Sequence, residues 1–121
     1  MAKSRILVVE DQPEFQRALT FRLEAQGYEV ELAEDGCAAD LCLGIRSYDV
    51  VLIKDLLSDG PTDPRLREWR HKGHQMPVIM MLGNAAAEPE QFKSAHADGV
   101  IARPFAISDL ILEIERVTVA S

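Results

Sequence analysis

Short runs of apolar, often β-branched residues recur along this chain and alternate with stretches whose apolar positions repeat every three to four residues. The runs predict strands near 5–9, 29–33, 49–53, 78–82 and 100–102, and the amphipathic stretches predict helices near 13–26, 36–46, 64–72, 88–96 and 107–118. Strand and helix in strict alternation mean parallel strands joined by crossover helices, hence one sheet covered on both faces. Helix punctuation agrees: Pro13 stands near the first start, Gly27 just past its end, Asp63-Pro64 as cap and first turn of the third, Pro89 at the opening of the fourth and Ser108 as cap of the fifth. The stretch from Leu56 to Asp63, rich in Ser, Asp, Gly and Pro, predicts a long surface loop.

The core follows from the same periodicity. Phe15, Ala18, Leu19, Leu23 and Phe21 form a stripe on the first helix, and Leu110, Ile111, Ile114 and Val117 one on the last. Trp69 is expected to pack at the sheet edge, and Met76, Met80 and Met81 to fill core space beside or on a buried strand. The 121 residues suit a single domain, 1–121, that needs no metal or disulfide to fold, either standing alone or as the N-terminal part of a longer protein.

The first strand runs straight into Glu10-Asp11 and the third ends on Lys54. Open parallel sheets put their function in the crevice at the carboxyl ends of the strands, so these three charges are expected to meet there and neutralise one another. Elsewhere the charge pattern excludes more than it suggests. A formal net charge of −7 gives no basic field for phosphate backbones, so nucleic-acid binding is not expected. No apolar run is long enough to span a bilayer, and Met1-Ala2-Lys3-Ser4-Arg5 leads into a strand, so a cytoplasmic protein without membrane contact is expected. Cys37 and Cys42 have neither disulfide nor zinc spacing and are read as free thiols. His71 and His74 lack a further ligand nearby and are read as a solvated helix end.

Four segments, Ile6-Leu7-Val8-Val9-Glu10-Asp11-Gln12, Tyr48-Asp49-Val50-Val51-Leu52-Ile53, Met76-Pro77-Val78-Ile79-Met80-Met81 and Arg103-Pro104-Phe105, together resemble the response-regulator receiver family, in order and over essentially the whole chain. The resemblance implies a flavodoxin-like, doubly wound five-stranded parallel sheet of order 2-1-3-4-5 with five helices. It also implies a cytoplasmic role in two-component phosphorelay signalling and a site made of an acidic pair, an aspartate phosphoacceptor, a Ser or Thr, and a Lys.

Only part of that site is present. Glu10 and Asp11 match the acidic pair, but the phosphoacceptor position, five residues after Asp49, is Lys54, and an amine cannot form an acyl phosphate. The hydroxyl position falls on Leu82, or on Gly83 if the register slips by one; the lysine is Arg103; the switch aromatic is Val100; and the usual proline is Ser58. Glu10, Asp11, Lys54 and Arg103 sum to zero formal charge, so Mg²⁺ is expected to bind weakly or not at all.

The reading that follows is a degenerate, or pseudo-receiver, domain: no enzyme, but a phosphorylation-independent protein–protein interaction module. A histidine kinase or an output domain is the partner class the resemblance implies. The fourth helix, fifth strand and fifth helix, with Phe92, Lys93, His96, Ile107 and Ile111, make the candidate partner face. The alternative is a competent receiver phosphorylated at Asp55 or Asp59 with Mg²⁺ on Asp11, although a one-residue step along a strand turns Asp55 away from the crevice. A small-molecule binder is disfavoured because no Gly-rich phosphate loop follows the first strand. Partner identity and oligomeric state are not legible in the sequence.

Overall fold

A computed structural model describes residues 4–83 and 96–119. Their elements are β1 (Arg5–Val9), α1 (Pro13–Ala25), β2 (Glu29–Ala33), α2 (Gly36–Ile45), β3 (Val50–Lys54), β4 (Leu56–Leu57), β5 (Gly60–Pro61), α3 (Thr62–His71), β6 (Val78–Leu82), β7 (Gly99–Ala102) and α4 (Ile107–Val119). The main sheet is parallel, in the order β2-β1-β3-β6-β7, which is 2-1-3-4-5 counted over its five strands. Four helices lie among the described residues; the expected helix near 88–96 falls outside them, apart from His96.

The apolar runs become the central strands because they are sealed on both faces. Ile6 to Val9, Val50 to Ile53 and Val78 to Leu82 are all at most 1% exposed. Burying each such side chain contributes about 1.5–3 kcal/mol. Alternation along the strands divides the core in two. Leu7, Val9, Val51, Ile53, Met80 and Leu82 face one layer with Leu66 and Trp69; Ile6, Val8, Leu52, Ile79 and Met81 face the other with Leu19, Leu23, Leu110 and Ile114.

Several local expectations are corrected. The segment after β3 is a two-stranded antiparallel ribbon, not a loop: Leu56 pairs with Pro61 and Leu57 with Gly60. Leu57 is buried, and Gly60 takes φ +128°, a conformation that favours glycine. Helix α3 starts at Thr62, so Pro64 sits inside its first turn, where backbone N–H groups lack helical partners anyway. Ser108 is likewise within α4, whose first bonds run from Asp109 and Leu110 to the Ala106 carbonyl. Phe21 leaves the expected stripe and is 76% exposed. Trp69 is in the core rather than at the sheet edge, its indole N–H donating to Asp40 at 2.6 Å.

Candidate functional site

Parallel register places the site. Val9 is paired with Ile53, so the residues that follow, Glu10 and Lys54, emerge side by side at the carboxyl ends of β1 and β3. Lys54 Nζ donates to Asp11 Oδ1 at 3.1 Å and lies 3.8 Å from Glu10 Oε2. Arg103, just beyond β7, brings Nη1 to 3.1 Å from Glu10 Oε1 and donates through Nη2 to Gln12 Oε1 at 3.2 Å. Each Glu10 oxygen is thus accounted for, Oε2 also accepting from the Gln12 amide at 3.0 Å. Glu10, Asp11, Lys54 and Arg103 form one network, with no Glu10 side-chain surface exposed.

Burial decides how the two acids divide their protons. Taking Glu10 out of water raises its pKa above the ordinary value, and the neighbouring Asp11 carboxyl adds to this, against the Gln12 amide and the charges of Arg103 and Lys54. Asp11 is also pushed upward by burial, but the Lys54 hydrogen bond, Glu10 and the Lys54 charge together hold it below the ordinary range. Asp11 is therefore the firmly ionised partner of the lysine. A pair at this spacing attracts by about 4 kcal/mol at an effective dielectric of 20, before its desolvation cost.

The rim is tied down by backbone contacts. The Thr62 hydroxyl, wholly buried, donates to the Lys54 carbonyl, and the Thr62 amide donates to the Asp55 carbonyl at 2.9 Å. Asp55 Oδ1 accepts from the Gly83 amide at 3.1 Å, which ties the end of β3 to the residue after β6. The Asp59 carboxylate accepts from the Gly36 and Cys37 amides at 3.0 and 2.9 Å, at the start of α2. Those amides and Arg65 hold its pKa low, although burial pulls it upward.

Leu82 is 1% exposed and points into the core layer beside α3, while Val100 packs partly buried against the same layer. Neither joins the charged network. Of the candidate partner face, Phe92 and Lys93 lie outside the described residues. His96 lies ahead of β7, its carbonyl held by Arg70 of α3, whereas Ile107 and Ile111 pack in the layer beside α1. Among the described residues no three His, Cys, Asp or Glu side chains group as metal ligands, His71 and His74 included. Sequence reasoning missed Gln12, Thr62 and Phe15 as parts of this site. The Phe15 ring carries Arg103, 3.8 Å above its centroid, and meets Phe105 edge-on.

A doubly wound parallel sheet with an acidic pair, a strand-end Lys54 and Arg103 gathered at its carboxyl end defines a receiver-type domain. The chain belongs to the response regulator receiver domain family, whose model matches residues 6–115. It is 27% identical over 112 residues to the virulence transcriptional regulatory protein PhoP of Salmonella typhimurium, covering 92% of this chain and 50% of that protein. It spans about half the length of the curated relatives it matches. Among solved structures, a response regulator receiver domain protein of Methanospirillum hungatei superposes with a TM-score of 0.87 at 27% identity, over 98% of this chain and 96% of that one. The receiver domain of a Pseudomonas aeruginosa sensor histidine kinase, holding a magnesium ion in its active-site cleft, superposes with a TM-score of 0.85 at 27% identity, over 97% and 98%.

Proposed function

We propose that this receiver domain signals without accepting a phosphoryl group, as a docking module for a protein partner in a two-component pathway. The supporting observation is the 3.1 Å contact between Lys54 Nζ and Asp11 Oδ1, at the strand end where the family resemblance calls for an aspartate acceptor. The ammonium and the Arg103 guanidinium together already neutralise the acidic pair. The residues present do not fit a divalent cation there: one carboxylate is held by Lys54, the other by Lys54 and Arg103, and among the described residues no third carboxylate joins this network of ion pairs. Leu82 brings no hydroxyl and Val100 no ring, so the positions that would carry a phosphorylation response in the family lack their chemistry.

The alternative acceptors have other bonds to make. Asp55 is engaged with the Gly83 amide, and Asp59 serves the start of α2 and Arg65. Intact mass spectrometry after incubation with acetyl phosphate and Mg²⁺ tests the reading. No phosphoryl increment is expected, and an increment abolished by Asp55→Asn would replace this reading with that of a competent receiver using Asp55.

A further inference from the structure

The end of the sheet opposite Glu10 and Lys54 holds a cavity of about 370 Å³, within the range of small-molecule sites. Parallel register places it. Ser47 and Tyr48 lead into β3 and Gly73 to Met76 lead into β6, so the two segments meet at the amino ends of neighbouring strands. Leu43, Tyr48 and Met76 give the cavity an apolar floor, and the Tyr48 hydroxyl is already spent on Glu31 at 2.6 Å. Arg46, Ser47, His74 and Gln75 supply the polar part of the lining.

No acidic residue lines this cavity, in a chain with 20 Asp and Glu against 13 Lys and Arg. A cavity of similar size beside the β4–β5 ribbon, by contrast, carries Asp40, Asp59 and Glu68. Among the described residues the side chains of Ser47, His74 and Gln75 have no hydrogen-bond partner. The Arg46 guanidinium meets one carboxylate there, Glu31, which is 3.6 Å from Nε and beyond hydrogen-bond reach.

The carboxyl ends of α2 and α3 also reach this corner, and such ends disfavour anions while their carbonyls are free. Here the carbonyls are taken. Cys42 accepts from the Arg46 amide at 3.1 Å, Arg70 from the Gly73 amide at 3.1 Å and Trp69 from the His74 amide at 3.0 Å. Arg70 Nη1 donates to the His74 and Met76 carbonyls at 3.0 and 2.8 Å. What the cavity offers a ligand is a set of side-chain donors above an apolar floor.

We infer that this cavity binds a phosphate monoester. The Arg46 fork and the His74 ring take the phosphate, Ser47 and Gln75 donate at its edge, and the organic part lies on Tyr48 and Met76. A guanidinium matches two phosphate oxygens at once, and four donor side chains suit a tetrahedral group with three terminal oxygens better than a planar carboxylate with two. Because the donors are side chains, no Gly-rich loop is required. The site lies across the sheet from the acidic pair and is independent of whether the domain accepts a phosphoryl group, so it goes beyond the function proposed above.

Titration of the whole chain with phenyl phosphate, followed by backbone amide NMR at constant ionic strength, tests it. Saturable shifts are expected at residues 43–48 and 73–76, with a dissociation constant on the order of 1 mM. Inorganic phosphate, which lacks the organic part, and benzoate, which lacks the tetrahedral group, should each bind roughly threefold more weakly or worse. Arg46→Gln and His74→Asn are each expected to weaken binding roughly fivefold, with the rest of the spectrum unchanged to show an intact fold. Arg17→Gln removes the same charge from α1 and should leave binding as it is. His74→Asn keeps Arg46 and its contact with Glu31, so it decides the matter if Arg46→Gln unsettles the fold. The inference is overturned if no saturable shift appears up to about 20 mM, or if both variants bind like the wild type. It is also overturned if the shifts centre on residues 10–12 and 103 or scatter over exposed arginines and lysines, which would mean an adventitious ion only. Benzoate binding as tightly as phenyl phosphate would overturn the assignment of a phosphate.

Discussion

Arg103 lies over the ring of Phe15, its Cζ 3.8 Å from the ring centroid, while the same guanidinium donates to buried Glu10 and to Gln12. The aromatic face is an apolar wall for a cation whose donors are already directed at oxygens, so stacking and hydrogen bonding reinforce each other. Arg103→Lys retains a charge but loses the planar fork. We expect it to lower the unfolding free energy by about 1–2 kcal/mol, and Arg103→Met to cost more because Glu10 is left with one fewer counter-charge. Urea denaturation of both variants checks the order; equal losses would mean that only the charge matters.

Removing the lysine isolates the acids. Lys54→Ala is expected to cost about 1–3 kcal/mol at neutral pH, because it leaves Glu10 and Asp11 facing each other without their common counter-ion. The loss should shrink as the solution is made acidic enough for Glu10, whose pKa burial already raises, to take up a proton. Denaturant midpoints measured near neutrality and at mildly acidic pH separate this from simple loss of packing, which would be independent of pH.

The pH dependence has a definite sign. Asp11 and Asp59 both have folded-state pKa values below their ordinary 3.8, so the stability they contribute is present above that value and disappears as pH falls through the folded values. Glu10 acts oppositely: with a pKa raised above 4.5, it takes stability away as pH rises through that range. The stability curve should therefore fall steeply only below about pH 4. Asp59→Asn should flatten that acid limb, and an unchanged slope would show that the α2 amides do not favour the ionised carboxylate.

Gly36 leaves the space that the Arg65 side chain fills. A Cβ there would overlap the Arg65 guanidinium, and Arg65 bridges Asp40 and Asp59 while Asp40 also accepts from Trp69. Gly36→Ala must displace that side chain and is expected to cost about 1–2 kcal/mol, with a shift in Trp69 emission. Combined with Arg65→Ala it should cost less than the sum of the two single changes, since the same contact is lost once.

Much of this was legible in the chain. Strands buried on both faces read as unbroken apolar runs, so all five of the main sheet were placed to within a residue, and strand order followed from the family resemblance. The meeting of Glu10, Asp11 and Lys54 followed because parallel strands put their tips together. What escaped were features set by tertiary contact. The β4–β5 ribbon is two residues a strand and carries no periodicity, and Thr62 works through a hydroxyl aimed at a carbonyl eight residues earlier. Phe21 and Leu19 both fit a helical stripe, and only the position of the sheet decides which is buried.

Restoring the acidic trio separates the site from its response. Lys54→Asp replaces the ammonium by a carboxylate and returns the sum over positions 10, 11, 54 and 103 from zero to −2. A divalent cation then has oxygen ligands and no ammonium beside it, so Mg²⁺ binding should appear in a titration followed by backbone NMR. Phosphorylation from acetyl phosphate is not needed to read the outcome, since beryllofluoride supplies the same geometry without transfer chemistry. Propagation is a different matter. Leu82 is packed in the core and has no hydroxyl to draw toward a bound group, and Val100 has no ring to reorient, so the contacts that distinguish two states are lacking. Shifts confined to residues 10–11, 54–56 and 103 are expected with Mg²⁺ and beryllofluoride. Shifts reaching β7 and the length of α4 would mean that the domain still switches and that Lys54 alone keeps it silent.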